Sequence, residues 1–162
     1  MAEKTTSRLV ILCGPSCVGK SPLDKALTRF FPELRNALQP LVLYNSRAPR
    51  PGEEDGVDYH FQSREHIEAF REQDRYVVMD VRGDLQALDL KALLLSLDEG
   101  DVFFEGNPFV GKVLQTHPRL AQVNRLGVFM SPLSAEEITY LKKRNGMSVS
   151  ALVCDVMRRK LL

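Results

Sequence analysis

The chain has 162 residues, 44% of them hydrophobic, which supports one packed domain and leaves too little length for two comfortable ones. Its 22 lysines and arginines face 21 acids, so a net charge of +1 excludes a global field for nucleic acid or an anionic membrane and leaves any phosphate affinity to local clusters. Cys13, Cys17 and Cys154 lack metal-ligand spacing, Met1 to Ser7 is polar, and no run of about 18 apolar residues occurs, so the expected setting is the cytoplasm, without secretion signal or membrane span.

Leu9 to Cys13 is a continuously apolar, β-branched-rich run ending at Gly14-Pro15, the pattern of a strand buried on both faces in a parallel sheet. Leu23, Ala26, Leu27 and Phe30 then share one helical face, and Pro32 ends that helix. Leu41 to Tyr44 reads as a second strand, Ala48 to Gly56 as an ordered Pro- and Gly-rich loop, and Tyr59 and Phe61 as a return to a sheet edge. Ser63 caps a short helix carrying Ile67 and Phe70, and Tyr76 to Val81 is a strand. Asp89 precedes a helix with Leu90, Leu93, Leu94 and Leu97 on one face, stopped at Gly100. Val102 to Glu105 is a further buried strand, Asn107-Pro108 opens a helix through about Thr116, and Asn124 to Met130 supplies one more strand. Ser134 and Glu137 form a capping-box pattern for a helix to about Arg144, and Ser148 opens a last helix whose stripe is Leu152, Val153, Val156 and Met157. There is no internal repeat.

Between the first strand and the first helix lies Gly14-Pro15-Ser16-Cys17-Val18-Gly19-Lys20-Ser21, a G-x-x-x-x-G-K-S phosphate loop in the context that pattern requires. Such a loop turns backbone N–H groups toward an anion at a helix N-terminus, where unpaired donors and the helix dipole both favour negative charge. Lys20 is placed against the outer phosphates of ATP, and the Ser21 hydroxyl can ligate the bridging magnesium.

With Ser46-Arg47-Ala48-Pro49-Arg50-Pro51-Gly52-Glu53 and Asp58-Tyr59-His60-Phe61, this loop resembles the guanylate kinase family from about Arg8 to Arg159, thinly after Phe61. The resemblance implies a three-layer α/β P-loop NTPase fold with a parallel central sheet, a small GMP-binding insertion and a lid. Applied here, it implies a core at about 8–40 and 84–130, an insertion at about 41–83, and a lid with its following helix at about 131–162. It sets Ser46, Arg47, Arg50 and Tyr59 around the GMP phosphate with Glu53 in support, and two arginines three apart in a proline-framed loop offer forked donors that lysines would not match.

Several positions depart from the family. Cys17 replaces a usual glycine and Pro22 a usual threonine; Glu105 and Asn107 stand where an Asp-x-Asp strand end is usual. Glu105 can hold magnesium through water and Asn107 can hydrogen-bond a base, with ordinary surface polarity the alternative for each. The family's guanine-reading glutamate falls at Val77 in the best register. Lys143, Arg144, Arg158 and Arg159 resemble the lid arginines that neutralise the transferring phosphoryl, and the family usually continues past the position of Leu162. His60, His66 and His117 receive no role.

The implied activity is transfer of the ATP γ-phosphoryl to GMP. The rivals are a P-loop kinase for another monophosphate or phosphosugar, and a non-catalytic binding module that uses the old GMP site for a protein partner.

Overall fold

The computed structural model describes residues 7–146 together with 148, 151, 154, 155, 158 and 159. Strand β1 (Arg8–Cys13) runs into the phosphate loop and helix α1 (Lys20–Phe30); Pro32 then occupies the first turn of α2 (Pro32–Asn36), where its missing N–H costs nothing. Strands β2 (Gln39–Pro40), β3 (Leu43–Asn45) and β4 (Tyr59–Phe61) follow, then α3 (Arg64–Ala69), β5 (Tyr76–Val81), β6 (Asp84–Asp89) and α4 (Leu90–Glu99). Strand β7 (Val102–Gly106), α5 (Pro108–Thr116), β8 (Asn124–Phe129) and α6 (Ala135–Asn145) complete the described elements.

Two sheets organise the chain. The first is parallel throughout, in the order β2-β7-β1-β8, so β1 lies between two strands that come much later in sequence. In such sheets ligands gather beyond the carboxyl ends of the strands, and the phosphate loop leaves β1 at that end. The second sheet has the order β4-β3-β6-β5 and is mixed, with β3 parallel to β4 and antiparallel to β6, and β5 antiparallel to β6. Residues 84–89 pair in the second sheet: β6 pairs with both β3 and β5, so its backbone polar groups are satisfied there rather than in the first.

Strand alternation divides the apolar side chains between two cores. Leu9, Ile11, Val102 and Phe104 from the first sheet pack with Val110 and Leu114 of α5, Leu90 and Leu93 of α4, and Leu43, Met79, Val81 and Leu88 from one face of the second sheet. The other face of that sheet sends Leu85 and Ala87 against Ile67 and Phe70, with Phe70 stacked on Tyr76 at 4.0 Å between ring centroids. Because the main core is shared, it fixes the second sheet beside the phosphate-loop sheet.

Helix α1 departs from its expected packing. Leu23, Ala26 and Leu27 are only half-buried, and Phe30 is 66% exposed. On this helix Asp24 also accepts from Arg35 of α2 at 2.6 Å. The caps read from sequence form as hydrogen bonds at Ser63, Asp89, Asn107 and Ser134, the last in a complete capping box with Glu137. The expected stripe of the last helix lies outside the described residues.

Candidate active site

The phosphate loop is built around two glycines. A Cβ on Gly14 would meet the Met130 carbonyl oxygen at 2.5 Å, and Gly19 holds φ at 104°, a left-handed value that a side chain disfavours. Gly19 caps α1 without a side-chain hydrogen bond, and the first turn of α1 contains no acid but does contain Lys20. A cation at an uncapped helix N-terminus opposes the helix dipole, so the end is complementary only to an added anion. In the unliganded loop Lys20 Nζ donates to the carbonyls of Gly14 at 3.1 Å and Pro15 at 2.9 Å. Val18 is half-buried; Ser16 and Cys17 form the exposed rim.

Strand register supplies the acid. Leu12 pairs with Glu105 and Cys13 with Gly106, which carries Glu105 to the base of the loop, where its Oε1 accepts from Ser21 Oγ at 3.1 Å. No group of three or more His, Cys, Asp or Glu able to hold a metal exists among the described residues. That pair suits magnesium all the same, because this ion keeps several waters and is bound through one or two protein oxygens plus substrate phosphates.

The insertion presents an arginine loop, residues 46–53. Arg47 donates to both Glu53 carboxylate oxygens at 2.6 Å, and the Arg50 backbone N–H donates to the same carboxylate at 2.8 Å. The Arg47 fork and, secondarily, the Arg50 N–H bring the Glu53 carboxyl down to about 2. Arg47 also lies over the rings of Tyr59 at 5.2 Å and Phe61 at 5.5 Å. The Tyr59 hydroxyl is pushed above its ordinary value, chiefly by burial, against the lowering effect of Arg47. The Arg50 guanidinium is exposed and has no hydrogen-bond partner among the described residues. Ser46 is occupied in the sheet: its Oγ accepts from Leu85 N at 2.8 Å and its N–H donates to Leu85 O at 2.9 Å.

Between the two sites lie residues that the sequence reading missed. Asn45 and Gln86 are buried polar side chains on the core-facing side of the second sheet. Asn45 Oδ1 accepts from the Arg47 N–H at 3.2 Å, and Gln86 hydrogen-bonds Tyr59 and accepts from Asn107 Nδ2 at 3.4 Å. Asn107 is thus held at both ends, since its Oδ1 caps α5 through Val110 N at 3.0 Å. The detectable signal was a lone glutamine within Leu85-Gln86-Ala87-Leu88, where a polar residue breaks an apolar run.

Val77 pairs with Leu88, and both pack against the main core, so the face of β5 that carries Val77, Met79 and Val81 holds no carboxylate. Val77 also borders a cleft of about 740 Å³, lined further by Tyr76, Leu90, Leu94, His117 and Arg119, which contains no residue of the phosphate loop or of the arginine loop. Of the lid candidates, Arg144 lies in the last turn of α6 with its side chain outside the described residues, and Arg158 is exposed. Nothing described brings either one to Lys20.

A family model, Guanylate kinase, matches residues 6–87. A guanylate kinase of Nitratidesulfovibrio vulgaris is 31% identical over 148 residues, covering 90% of this chain and 68% of the relative. One from Synechococcus is 32% identical over 152 residues, covering 92% and 66%; one from Pseudomonas fluorescens is 41% identical over 97 residues, covering 59% of this chain and 45% of its own. The chain therefore spans from under half to about two thirds of the length of these relatives. The crystal structure of guanylate kinase from Anaplasma phagocytophilum superposes with a TM-score of 0.61 at 19% identity, covering 94% of this chain and 72% of that one, which shows the shared fold. By its matched sequence and by its fold, the chain belongs to the guanylate kinase family.

Proposed function

We propose that this protein is a nucleoside monophosphate kinase that transfers the ATP γ-phosphoryl to GMP, giving ADP and GDP. The observation that supports this reading is a loop with Lys20, Ser21 and Glu105 on one sheet and, on the adjoining sheet, an arginine loop in which Glu53 braces Arg47 beside Tyr59. The loop of Gly14, Pro15, Ser16, Cys17, Val18 and Gly19 wraps the donor phosphates, and Lys20 moves from its own carbonyls onto the outer ones. Arg47, Arg50 and Tyr59 hold the acceptor phosphate in line, so catalysis is positioning plus charge neutralisation without a covalent enzyme intermediate. Ser21 and Glu105 would hold magnesium, which supplies charge neutralisation between the phosphates when bound. Arg144 and Arg158 are the lid cations of this reading, and Asn107, hydrogen-bonded to Gln86, is the side chain it assigns to the base. A cytoplasmic location accords with free Cys13, Cys17 and Cys154, and no described helix is long and apolar enough to cross a membrane.

The test is a coupled ADP-release assay with GMP, dGMP, AMP, UMP and CMP at saturating MgATP. GMP-dependent release supports the reading, and a faster turnover of AMP, UMP or CMP transfers it to another monophosphate. The second reading, a binding module for a protein partner, is supported by Val77, an apolar residue paired with Leu88, where the family resemblance implies a guanine-reading glutamate. It predicts GMP binding by calorimetry without turnover.

A further inference from the structure

Strands β5 and β6 are joined by Arg82 and Gly83, with φ at 55° and 90°, while Val81 pairs with Asp84. A two-residue hairpin turn with both central residues at positive φ favours Asn, Asp or Gly at its first position, because a longer side chain is strained there. Arginine occupies that position in this chain, and its side chain leaves the insertion: Arg82 Nη1 donates to Ser16 Oγ, on the rim of the phosphate loop, at 3.0 Å. The neighbour of Ser16 in the loop, Cys17, has φ at 62°; it and Arg82 are the non-glycine residues with positive φ among those described. Disfavoured backbone thus flanks the contact on both sides, which marks it as over-determined by its surroundings. The turn is also tied from behind, since Arg64 of α3 donates to the Gly83 carbonyl at 2.9 Å.

We infer that Arg82 is a positioning residue: it latches the tip of the insertion onto the phosphate loop and so sets the acceptor phosphate in line with the donor. The inference rests on the phosphotransfer reading for its catalytic consequence, and on the Arg82–Ser16 bond alone for its structural one. Donor and acceptor sites sit on different sheets, and in-line transfer depends on their separation to within about 1 Å. A guanidinium fits the task, because one N–H engages Ser16 while the remaining donors stay free of partners among the described residues.

The informative variant is Arg82→Asn, which suits the turn better than arginine and removes the latch. Its melting temperature is expected to equal or exceed that of the wild type, which separates lost positioning from lost folding. In the GMP-dependent assay kcat should fall about tenfold or more, with KM for MgATP and GMP each within about twofold, and Arg82→Lys should restore most of the turnover. In the unliganded protein, the amides of Gly14 and residues 16–19 should exchange hydrogen faster in Arg82→Asn than in the wild type. Unchanged exchange overturns the latch, and so does unchanged turnover in an active enzyme. If the wild type phosphorylates no monophosphate, the kinase reading falls by itself and the exchange measurement alone decides the latch.

Discussion

Glu53 shows how a single carboxylate organises the arginine loop. It uses both oxygens on Arg47 and accepts the Arg50 N–H, so one arginine is fixed while the other keeps its guanidinium free. Arg50→Ala should weaken GMP binding by about 1.5–3 kcal/mol, the worth of one charge-assisted contact, and leave MgATP affinity nearly unchanged in calorimetry. Parallel loss of both ligands would instead indicate misfolding. The same carboxylate makes a pH prediction. Its folded value of about 2 lies below its ordinary 4.5, so the stability it contributes is fully present above pH 4.5 and is lost as pH falls toward 2. Glu53→Gln should accordingly be less stable than the wild type at pH 7 in denaturant unfolding, with the difference narrowing across that window. A constant difference from pH 5 to pH 3 would falsify the assigned carboxyl value.

At the scale of elements, the proposed kinase reading assigns base specificity to the second sheet. Its core-facing side carries polar Asn45 and Gln86 toward the arginine loop and apolar Val77 and Leu88 farther along. A site that hydrogen-bonds a group rejects analogues lacking it by about 10⁴-fold or more, whereas an apolar pocket discriminates by about 10–200-fold. With no carboxylate among Val77, Met79 and Val81, the ratio of kcat/KM for GMP over AMP should fall in the lower range, and a measured ratio of about 10⁴ or more would locate an unrecognised base-reading group. Strand β6 itself was not legible. Asp84-Leu85-Gln86-Ala87-Leu88-Asp89 lacks β-branched and aromatic residues, and it is a strand because β3 and β5 both pair with it, a tertiary effect that overrides propensity. Helix α1 errs the other way, since its apolar stripe implied a buried face that is only half-buried, with Phe30 exposed.

At the scale of the molecule, two sheets share one core, and the two ligand sites proposed on them should report independently. Ligands that bind only the folded state stabilise it by about 2.7 kcal/mol at a hundredfold excess over Kd. MgATP and GMP should each raise the melting temperature of the wild type in thermal-shift measurements. Lys20→Ala should abolish most of the MgATP increment and keep the GMP increment, because Lys20 is the one side-chain cation of the phosphate loop and lies outside the arginine loop. Loss of both increments would mean that the sites are not separate.

The sequence by itself determined the local structure: the phosphate loop between an apolar strand and a helix, the caps at Ser63, Asp89, Asn107 and Ser134, and the close-spaced Arg47, Arg50 and Glu53. Each depends on residues within a few positions of one another, where spacing and geometry are nearly the same thing. What only the tertiary structure decided were pairings across long separations. Parallel register brought Glu105 to Ser21, strand pairing carried Asp84–Asp89 into the second sheet and Gln86 to Asn107, and a strained hairpin set Arg82 on Ser16. The physical reason is that register and packing depend on which strands close the sheet, and no periodicity within one segment encodes its partner.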